Sequence, residues 1–115
     1  MRVDADYLIV GTGLTGLFFA TKAAACGSVI LITKEEPRES NTSYAQGGIA
    51  SVVTPGDTFD QHVQDTLTAG DGLCDREVVE AVVREGPAVV EELVQFGARF
   101  TRTEAGALAV GREGG

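Results

Sequence analysis

The feature that most constrains the fold is a glycine pattern directly after a short apolar run. Tyr7-Leu8-Ile9-Val10 is followed by Gly11-Thr12-Gly13-Leu14-Thr15-Gly16, and helical spacing of apolar residues begins at Leu14. The first glycine permits a tight turn, the second lets a pyrophosphate approach the backbone, and the third allows close packing of helix on strand. Because a helix N-terminus also presents unpaired N–H groups and a partial positive charge, the pattern predicts a diphosphate site built from backbone.

A second apolar run completes a β-α-β unit. The helix is predicted to end at Cys26-Gly27, and Val29-Ile30-Leu31-Ile32-Thr33 follows it. Two continuous apolar runs joined by a helix are typical of parallel strands that are buried on both faces. In such units the second strand usually ends with an acidic residue that binds a ribose. Here Thr33-Lys34 occupies the end of the second strand, and Glu35 and Glu36 follow one or two residues further on. Lys34 could contact a phosphate or the adenosine, which leaves both an NADP site and an atypical FAD site open.

The rest of the chain predicts one irregular segment, three helices and a hairpin. Residues 34–56 have no regular period and pass from polar side chains into glycines, which indicates a segment that wraps a ligand. A hairpin is predicted where residues 99–103 and 107–110 flank Glu104-Ala105-Gly106. The first predicted helix follows a cap at Asp57 or Thr58, and one of its faces contains Phe59, His62, Val63, Thr66 and Leu67. The second follows a cap at Asp75, and one of its faces contains Val78, Val79, Val82 and Val83. The third begins at Pro87, after a break at Gly86-Pro87, and ends at Gly97, with apolar residues at Val90, Leu93 and Val94.

Size and charge narrow the possible functions. With 115 residues the chain can form one domain at most, and two parallel strands are too few for a doubly wound sheet, so we expect a fragment of a longer protein. The net charge of −8 disfavours nucleic acid and anionic membrane surfaces as partners. Cys26 and Cys74 form no metal-binding or disulfide pattern, and no apolar run is long enough for a secretory leader or a membrane span. We therefore expect a cytoplasmic chain without a metal.

Several segments carry a more specific resemblance. They are the glycine pattern, Thr33-Lys34, Ser40-Asn41-Thr42-Ser43-Tyr44-Ala45-Gln46-Gly47-Gly48-Ile49-Ala50, the run from His62 to Asp75, and Arg112-Glu113-Gly114-Gly115. Together they resemble the L-aspartate oxidase family of the succinate dehydrogenase/fumarate reductase flavoprotein superfamily, over essentially the whole chain. The resemblance implies an α/β fold: the N-terminal β-α-β portion of a Rossmann-like FAD-binding domain with an incomplete sheet. The expected segments are the β-α-β unit (1–33), a flavin-contacting loop (34–56), helices (57–97), and a hairpin with the start of a substrate-site segment (98–115).

The resemblance also implies which residues contact FAD. Gly47 and Gly48 would let the backbone approach the flat flavin ring, and polar side chains in the same loop would bond its edge. Asn41 stands where succinate dehydrogenases and fumarate reductases commonly have a histidine bonded to the flavin, so we expect non-covalent FAD. The full predicted set is Gly11, Thr12, Gly13, Leu14, Thr15, Gly16, Lys34, Asn41, Thr42, Ser43, Tyr44, Ala45, Gln46, Gly47 and Gly48.

The implied reaction is oxidation of L-aspartate to iminoaspartate, with oxygen or fumarate reoxidising the flavin, in NAD biosynthesis. Glu113 is the candidate contact for the substrate ammonium group, and iminoaspartate could pass to quinolinate synthase. No catalytic residue is expected in these 115 residues, so the chain alone should not turn over aspartate. His62, Asp65 and Thr66 receive no role because helix packing and capping explain them.

Three alternatives stay open. A fumarate reductase or succinate dehydrogenase flavoprotein shares the fold, although Asn41 and the run from Ala69 to Asp75 weigh against it. An NADP-binding module would suit Lys34 but leaves the loop from Ala45 to Ala50 unexplained. A non-enzymatic interaction domain would use the unfinished sheet edge and uncovered apolar helices to bind partners.

Overall fold

The computed structural model describes residues 2–37, 39–45 and 47–111. Its elements are β1 (Tyr7–Val10), α1 (Leu14–Ala23), β2 (Val29–Ile32), α2 (Asn41–Tyr44), α3 (Phe59–Ala69) and α4 (Arg76–Gln95). The chain separates into two compact units, Met1–Gly48 and Ile49–Gly115. We call them the N-terminal unit and the C-terminal unit.

The N-terminal unit contains the predicted β-α-β unit. β1 and β2 pair in parallel, with Tyr7 opposite Val29 and Val10 opposite Ile32, and α1 packs on both strands. Ile9, Ala20 and Ala23 form the buried contact, in which small alanines let the helix lie close to the sheet. The α/β class with an incomplete sheet is confirmed.

The start of the sheet is held by a reciprocal contact between Asp6 and Ser28. The Asp6 carboxylate accepts from the Ser28 N–H at 2.8 Å and from its hydroxyl at 2.7 Å, while the Asp6 N–H donates to Ser28 Oγ at 3.1 Å. A Cβ at Gly27 would lie 2.7 Å from Asp6 Oδ2, so glycine leaves room for the contact. These hydrogen bonds, first from the Ser28 side chain and then from its backbone, hold the pKa of Asp6 below its usual value.

Two predictions for this unit were wrong. The strands are not buried on both faces, since Leu8 is 66% and Val10 77% exposed, and no described element of the N-terminal unit covers that side of β1. A continuous apolar run shows that both faces of a strand can be buried. Burial of the second face also requires another element to pack against it. The helix ends at Ala23 instead of Cys26, because the following amides of Ala25 and Cys26 bond three residues back in tighter turns.

The irregular segment contains one element that its sequence did not predict. Asn41–Tyr44 forms a single helical turn, and the Ser40 side chain caps it by accepting from the Ser43 N–H at 3.2 Å. A turn this short lacks the repeated apolar spacing on which a sequence prediction depends.

The C-terminal unit is built on α3 packed against α4. Thr58 caps α3 and Asp75 caps α4, as predicted. The buried apolar residues of these helices are Val63 on α3 and Val83 and Val90 on α4.

α4 runs unbroken through Pro87, so the predicted break at Gly86-Pro87 was wrong. A proline inside a helix costs about 3 kcal/mol, mainly through a lost backbone hydrogen bond and a clash with the preceding turn. Gly86 has no Cβ to clash with the ring of Pro87, which lowers the steric part of this cost. The burial of Val83 and Val90, on either side of Pro87 in the helix, offsets the remaining cost.

The continuous helix also changes the predicted apolar face. Val79, Val83, Pro87 and Val90 face inward at intervals of three or four residues, whereas Val78 and Val82 are 59% and 66% exposed. The prediction that Val78, Val79, Val82 and Val83 share one face of the helix was therefore wrong, because adjacent residues of an α-helix are about 100° apart around its axis, so Val78 and Val82 turn away from the side of Val79 and Val83.

The end of α4 and the hairpin agree with their sequence signals. Gly97 has φ +96°, and the amides of Gly97 and Ala98 close the helix on the carbonyls of Val94 and Leu93. Arg102 and Leu108 form one antiparallel bridge around a turn in which the Gly106 N–H donates to the Thr103 carbonyl. The predicted hairpin is confirmed in this short form.

Candidate cofactor site

The glycine loop connects β1 to α1 with backbone alone. Gly11 has φ +107°, and its N–H donates to the Ile32 carbonyl at the end of β2 at 2.8 Å. A Cβ at Gly16 would overlap the Gly11 carbonyl oxygen, so any larger residue would force the helix away from the loop. Gly11 and Gly16 thus have the turn and packing roles that the sequence predicted, and the role of Gly13 toward a pyrophosphate stays a prediction.

The start of α1 receives a cap from elsewhere in the N-terminal unit. Gly13 occupies the cap position and supplies no side chain, but the Leu14 N–H donates to Thr42 Oγ1 at 3.1 Å. A Cβ at Gly13 would lie 3.4 Å from the same oxygen. The hydroxyl of Thr42 therefore lies beside the bare backbone of the second glycine, where residues 28 positions apart in the chain meet.

Two hydrogen bonds shape the loop around α2. Ser40 Oγ and Ser43 Oγ are 3.1 Å apart, in addition to the Ser40 cap. The Tyr44 hydroxyl donates to the Glu39 carboxylate, and this bond raises the pKa of Tyr44 above its usual value because the neutral phenol is the donor. Tyr44 remains 73% exposed, so the bond orients the ring without burying it.

At the end of β2, a pair of hydroxyls stands near the place where a ribose-binding carboxylate was sought. Thr12 is buried, and its hydroxyl donates to Thr33 Oγ1 at 3.2 Å. Lys34, Glu35 and Glu36 are exposed. The contact between Thr12 and Thr33 at the end of β2 is therefore uncharged, and the charged side chains that follow β2 lie on the surface.

The predicted cofactor residues fall into three groups. The bond from Leu14 joins the glycine loop, Gly11–Gly16, to Thr42 and hence to α2, which contains Asn41, Ser43 and Tyr44. Lys34, Ala45, Gly47 and Gly48 form the second group and are exposed in the same unit. Gln46, and Glu113 with the rest of 112–115, lie outside the described residues.

Sequence reasoning missed three supporting residues: Glu39, Ser40 and Thr33. Ser40 carried a readable signal, since serine at the first position of a polar turn is a preferred helix cap. Thr33 belongs to the resemblance, but nothing in the sequence indicated its contact with Thr12, and Glu39 carried no signal, because each acts through a partner that only the folded chain brings near.

The residues in α3 that received no role make local contacts. The Thr66 hydroxyl donates to the His62 carbonyl at 2.9 Å, and Asp65 accepts from the Gln61 side chain at 2.7 Å.

Cys26 and Cys74 are free cysteines. Within the described ranges, no three histidine, cysteine, aspartate or glutamate side chains are grouped to hold a metal ion. None of the described helices has the length and apolar character to cross a membrane.

This arrangement fits the diphosphate part of FAD. Gly13 leaves its Cα bare beside the start of α1, and the helix has no cap from its own adjoining residues. An anion placed there would meet backbone N–H groups and the positive end of the helix. A flavin would have to extend toward exposed parts of the loop, where a Cβ added at Gly47 would have no neighbour within 4 Å.

Known proteins similar to this chain include L-aspartate oxidases. The chain is 49% identical over 110 residues to the chloroplastic L-aspartate oxidase of Oryza sativa subsp. japonica, covering 96% of this chain and 17% of the relative. It is 42% identical over 114 residues to the L-aspartate oxidase of Streptomyces coelicolor, covering 98% of this chain and 20% of the relative. The predicted resemblance is confirmed, and the chain spans about a fifth of the length of these relatives. The cytoplasmic location stays a prediction.

A solved structure and a family match agree with the fold. E. coli quinol fumarate reductase FrdA superimposes with a TM-score of 0.86 at 35% identity, covering 97% of this chain and 20% of that chain. Residues 6–115 match the FAD binding domain family. The chain belongs to the FAD binding domain family, and FAD is its cofactor.

Proposed function

We propose that this protein is an FAD-dependent oxidoreductase that oxidises L-aspartate to iminoaspartate. The observation that carries the proposal is the bond from the Leu14 N–H to Thr42 Oγ1, since it joins the phosphate-binding pattern to the loop that distinguishes the resembled family. The names of relatives at 42–49% identity support aspartate as the substrate. The described chain supplies cofactor contacts, and the substrate chemistry needs residues outside it.

The proposed division of labour follows the segments. Residues 1–33 hold the diphosphate and adenosine, residues 34–56 approach the flavin, residues 57–97 form the helices, and residues 98–115 include the start of the segment for the substrate. When bound, FAD would accept a hydride from the aspartate Cα and pass electrons to oxygen or fumarate. The chain's own residues bind and orient the cofactor. The Leu14 N–H already donates to Thr42 Oγ1, so the backbone donor is the N–H of Thr15; Lys34 contributes its charge, and Gly47 and Gly48 contribute open backbone.

We assign Glu113 to the substrate ammonium group, because a carboxylate there would distinguish an amino acid from succinate. We further propose that the product enters NAD biosynthesis, with transfer to quinolinate synthase, and that the protein acts in the cytoplasm.

The test is aspartate oxidation by protein expressed from its complete reading frame. Under anaerobic conditions L-aspartate should bleach the flavin absorbance and fumarate should restore it, while oxygen should yield peroxide. A Glu113→Gln variant should raise KM for aspartate by about tenfold, because a charge-assisted hydrogen bond is weakened to a neutral one. Flavin that stays oxidised in the presence of excess aspartate would contradict the proposed reaction.

The attachment of FAD is tested separately. Because asparagine cannot form the bond that a histidine makes to flavin, acid precipitation should release all the flavin into the supernatant. Flavin that remained with the denatured protein would contradict non-covalent binding.

A second candidate, a fumarate reductase or succinate dehydrogenase flavoprotein, is favoured by the similarity to FrdA. It predicts reduction of the bound flavin by succinate in preference to aspartate, so the same bleaching assay with both substrates separates the two reactions. The match to an FAD binding domain gives no support to the NADP alternative.

A further inference from the structure

The side chain of Ser51 occupies the space that a side chain on Gly86 would need. Both residues belong to the C-terminal unit, and Gly86 lies in the middle of α4. A Cβ added at Gly86 would be 2.9 Å from Ser51 Oγ and 3.6 Å from Ser51 Cβ. Because a folded chain is closely packed, Ser51 can lie this near to α4 only while residue 86 has no side chain.

The Ser51 hydroxyl gains no hydrogen bond from this contact. Ser51 Oγ is buried and has no hydrogen-bond partner among the described residues. A buried hydroxyl without a partner costs free energy. The contact therefore depends on the fit of a small side chain against bare helix backbone.

The residues after Ser51 continue beside the same part of α4. Val52 lines a cleft together with Arg84, and Val53 lines another together with Pro87. Three consecutive residues are therefore placed along the middle of this helix, and Ser51 makes the closest approach.

The Gly86-Pro87 pair is not explained by helix formation. Glycine and proline are the two least favourable residues inside a helix. Both nevertheless lie within α4, and the missing side chain of Gly86 is the space that Ser51 fills. The glycine thus permits a contact that any other residue at this position would push apart.

The contact lies within the predicted flavin-contacting loop, close to its glycines. Ser51 is three residues after Gly48. Three residues span at most roughly 11 Å when fully extended, and only a few backbone torsions separate the two positions. A displacement of Ser51 therefore has little chain in which to be absorbed before it reaches Gly47 and Gly48.

We propose that Gly86 is a positioning residue for the flavin: it fixes Ser51 beside α4, and this contact sets the path of the loop backbone at Gly47 and Gly48. Neither Gly86 nor Ser51 touches the cofactor. This inference rests on the proposed function, which assigns residues 34–56 to the flavin, and it adds a residue of α4 that acts through the loop.

The test compares FAD with ADP, which has the diphosphate and adenosine but no flavin. Gly86→Val places a Cβ against Ser51 Oγ and two methyl groups beyond it, so Ser51 must move. On the apoprotein from the complete reading frame, calorimetry should show affinity for FAD falling about tenfold and affinity for ADP changing by less than about twofold. The visible absorption of the bound flavin should also shift toward that of free FAD.

A second substitution restores the fit. Ser51→Gly removes the oxygen and the Cβ that meet the new side chain, so the double variant Gly86→Val/Ser51→Gly should recover most of the affinity for FAD. Gly86→Ala repeats the test with a smaller side chain and should give the same selective loss at a smaller factor. Ala88→Val is the matched control, because Ala88 is exposed on the same helix; both affinities should be unchanged.

Three results would overturn the proposal. Equal weakening of FAD and ADP by the Gly86 variants would make the contact a general support of the fold. Unchanged affinity for FAD would show that the position of Ser51 does not influence the flavin. Failure of Ser51→Gly to restore binding would separate the effect from this contact. Failure of aspartate to reduce the bound flavin would contradict the proposed reaction and leave this comparison of affinities intact.

Discussion

The two compact units are stabilised by different interactions. In the N-terminal unit, glycines bring the backbone close and hydroxyls of Thr12, Ser28 and Thr42 bond across the sequence, while Leu8 stays exposed on the sheet. In the C-terminal unit, two capped helices bury valines against each other. The N-terminal unit forms a polar site on a thin apolar base, and the C-terminal unit is a helical scaffold. The comparison predicts that packing in the C-terminal unit can be weakened without loss of cofactor binding.

The largest expected effect tests the backbone contact in the N-terminal unit. Gly16→Ala places a Cβ where it overlaps the Gly11 carbonyl oxygen, so the loop and helix must separate. We expect a loss of about 3 kcal/mol in the free energy of unfolding and no measurable FAD binding. Chemical denaturation and flavin titration measure these changes.

Gly56→Ala is the matched control for that substitution. Nothing lies within 4 Å of its added Cβ, and the stability change should stay within about 0.5 kcal/mol. An equally stable Gly16→Ala protein would show that close packing at the loop is not what the glycine provides.

The next effect tests the core of the C-terminal unit. Val83→Ala should lower the free energy of unfolding by about 2 kcal/mol, because it removes two buried methyl groups and leaves a cavity. Amide exchange should accelerate in α3 and α4, while the affinity for FAD stays within about twofold at temperatures where the protein is folded.

Val82→Ala supplies the comparison on the same helix. Val82 is 66% exposed, so its truncation should change stability by less than about 0.5 kcal/mol. Equal effects of the two substitutions would mean that something covers the outer face of α4.

A smaller effect is expected at the cap of α4. The Asp75 carboxylate accepts from the amides of Glu77 at 2.9 Å and Val78 at 3.2 Å. Asp75→Ala should cost about 1 kcal/mol, and Asp75→Ser should restore most of it. Thermal unfolding measures both variants, and an unchanged transition in Asp75→Ala would show that the first turn of α4 does not limit stability.

The smallest effect is the pH dependence of the Asp6 contact. Its folded pKa is below the unfolded value of 3.8, so the carboxylate stabilises the N-terminal unit fully above that pH. The contribution disappears as pH falls through the lower, folded pKa. Asp6→Asn should therefore lower the thermal midpoint at pH 7 and flatten its decline below about pH 4.

Asp4→Asn is the control for this pH profile, because among the described residues Asp4 pairs with the exposed side chain of Arg2. An exposed pair contributes little, so its midpoint should follow that of the unsubstituted protein. A pH profile unchanged by Asp6→Asn would contradict the stabilising role of the carboxylate.

Most of the fold was readable from local signals, and the errors have local causes. β1 and the caps at Thr58 and Asp75 were predicted because each depends on a few adjacent residues. The unbroken α4 was not, since the gain from burying Val83 and Val90 outweighs the preference of Pro87, and only packing reveals that gain.

The candidate site divides in the same way. The glycine loop was predicted from its spacing. The resemblance predicted that Thr42 contacts the cofactor, and this stays a prediction. The bond from Leu14 to Thr42 spans 28 positions, and neither residue indicates the other in the sequence. Glu39 was missed for the same reason, because its role depends on the hydroxyl of Tyr44.

The sequence by itself determined the β-α-β unit, the glycine loop and the family, because these depend on which residue types stand next to one another. Only the tertiary structure decided that α4 continues through a proline, that one face of β1 is left exposed, and that a loop threonine caps α1. Such outcomes depend on burial and on contacts between distant residues, and their free energies appear only once the chain has folded.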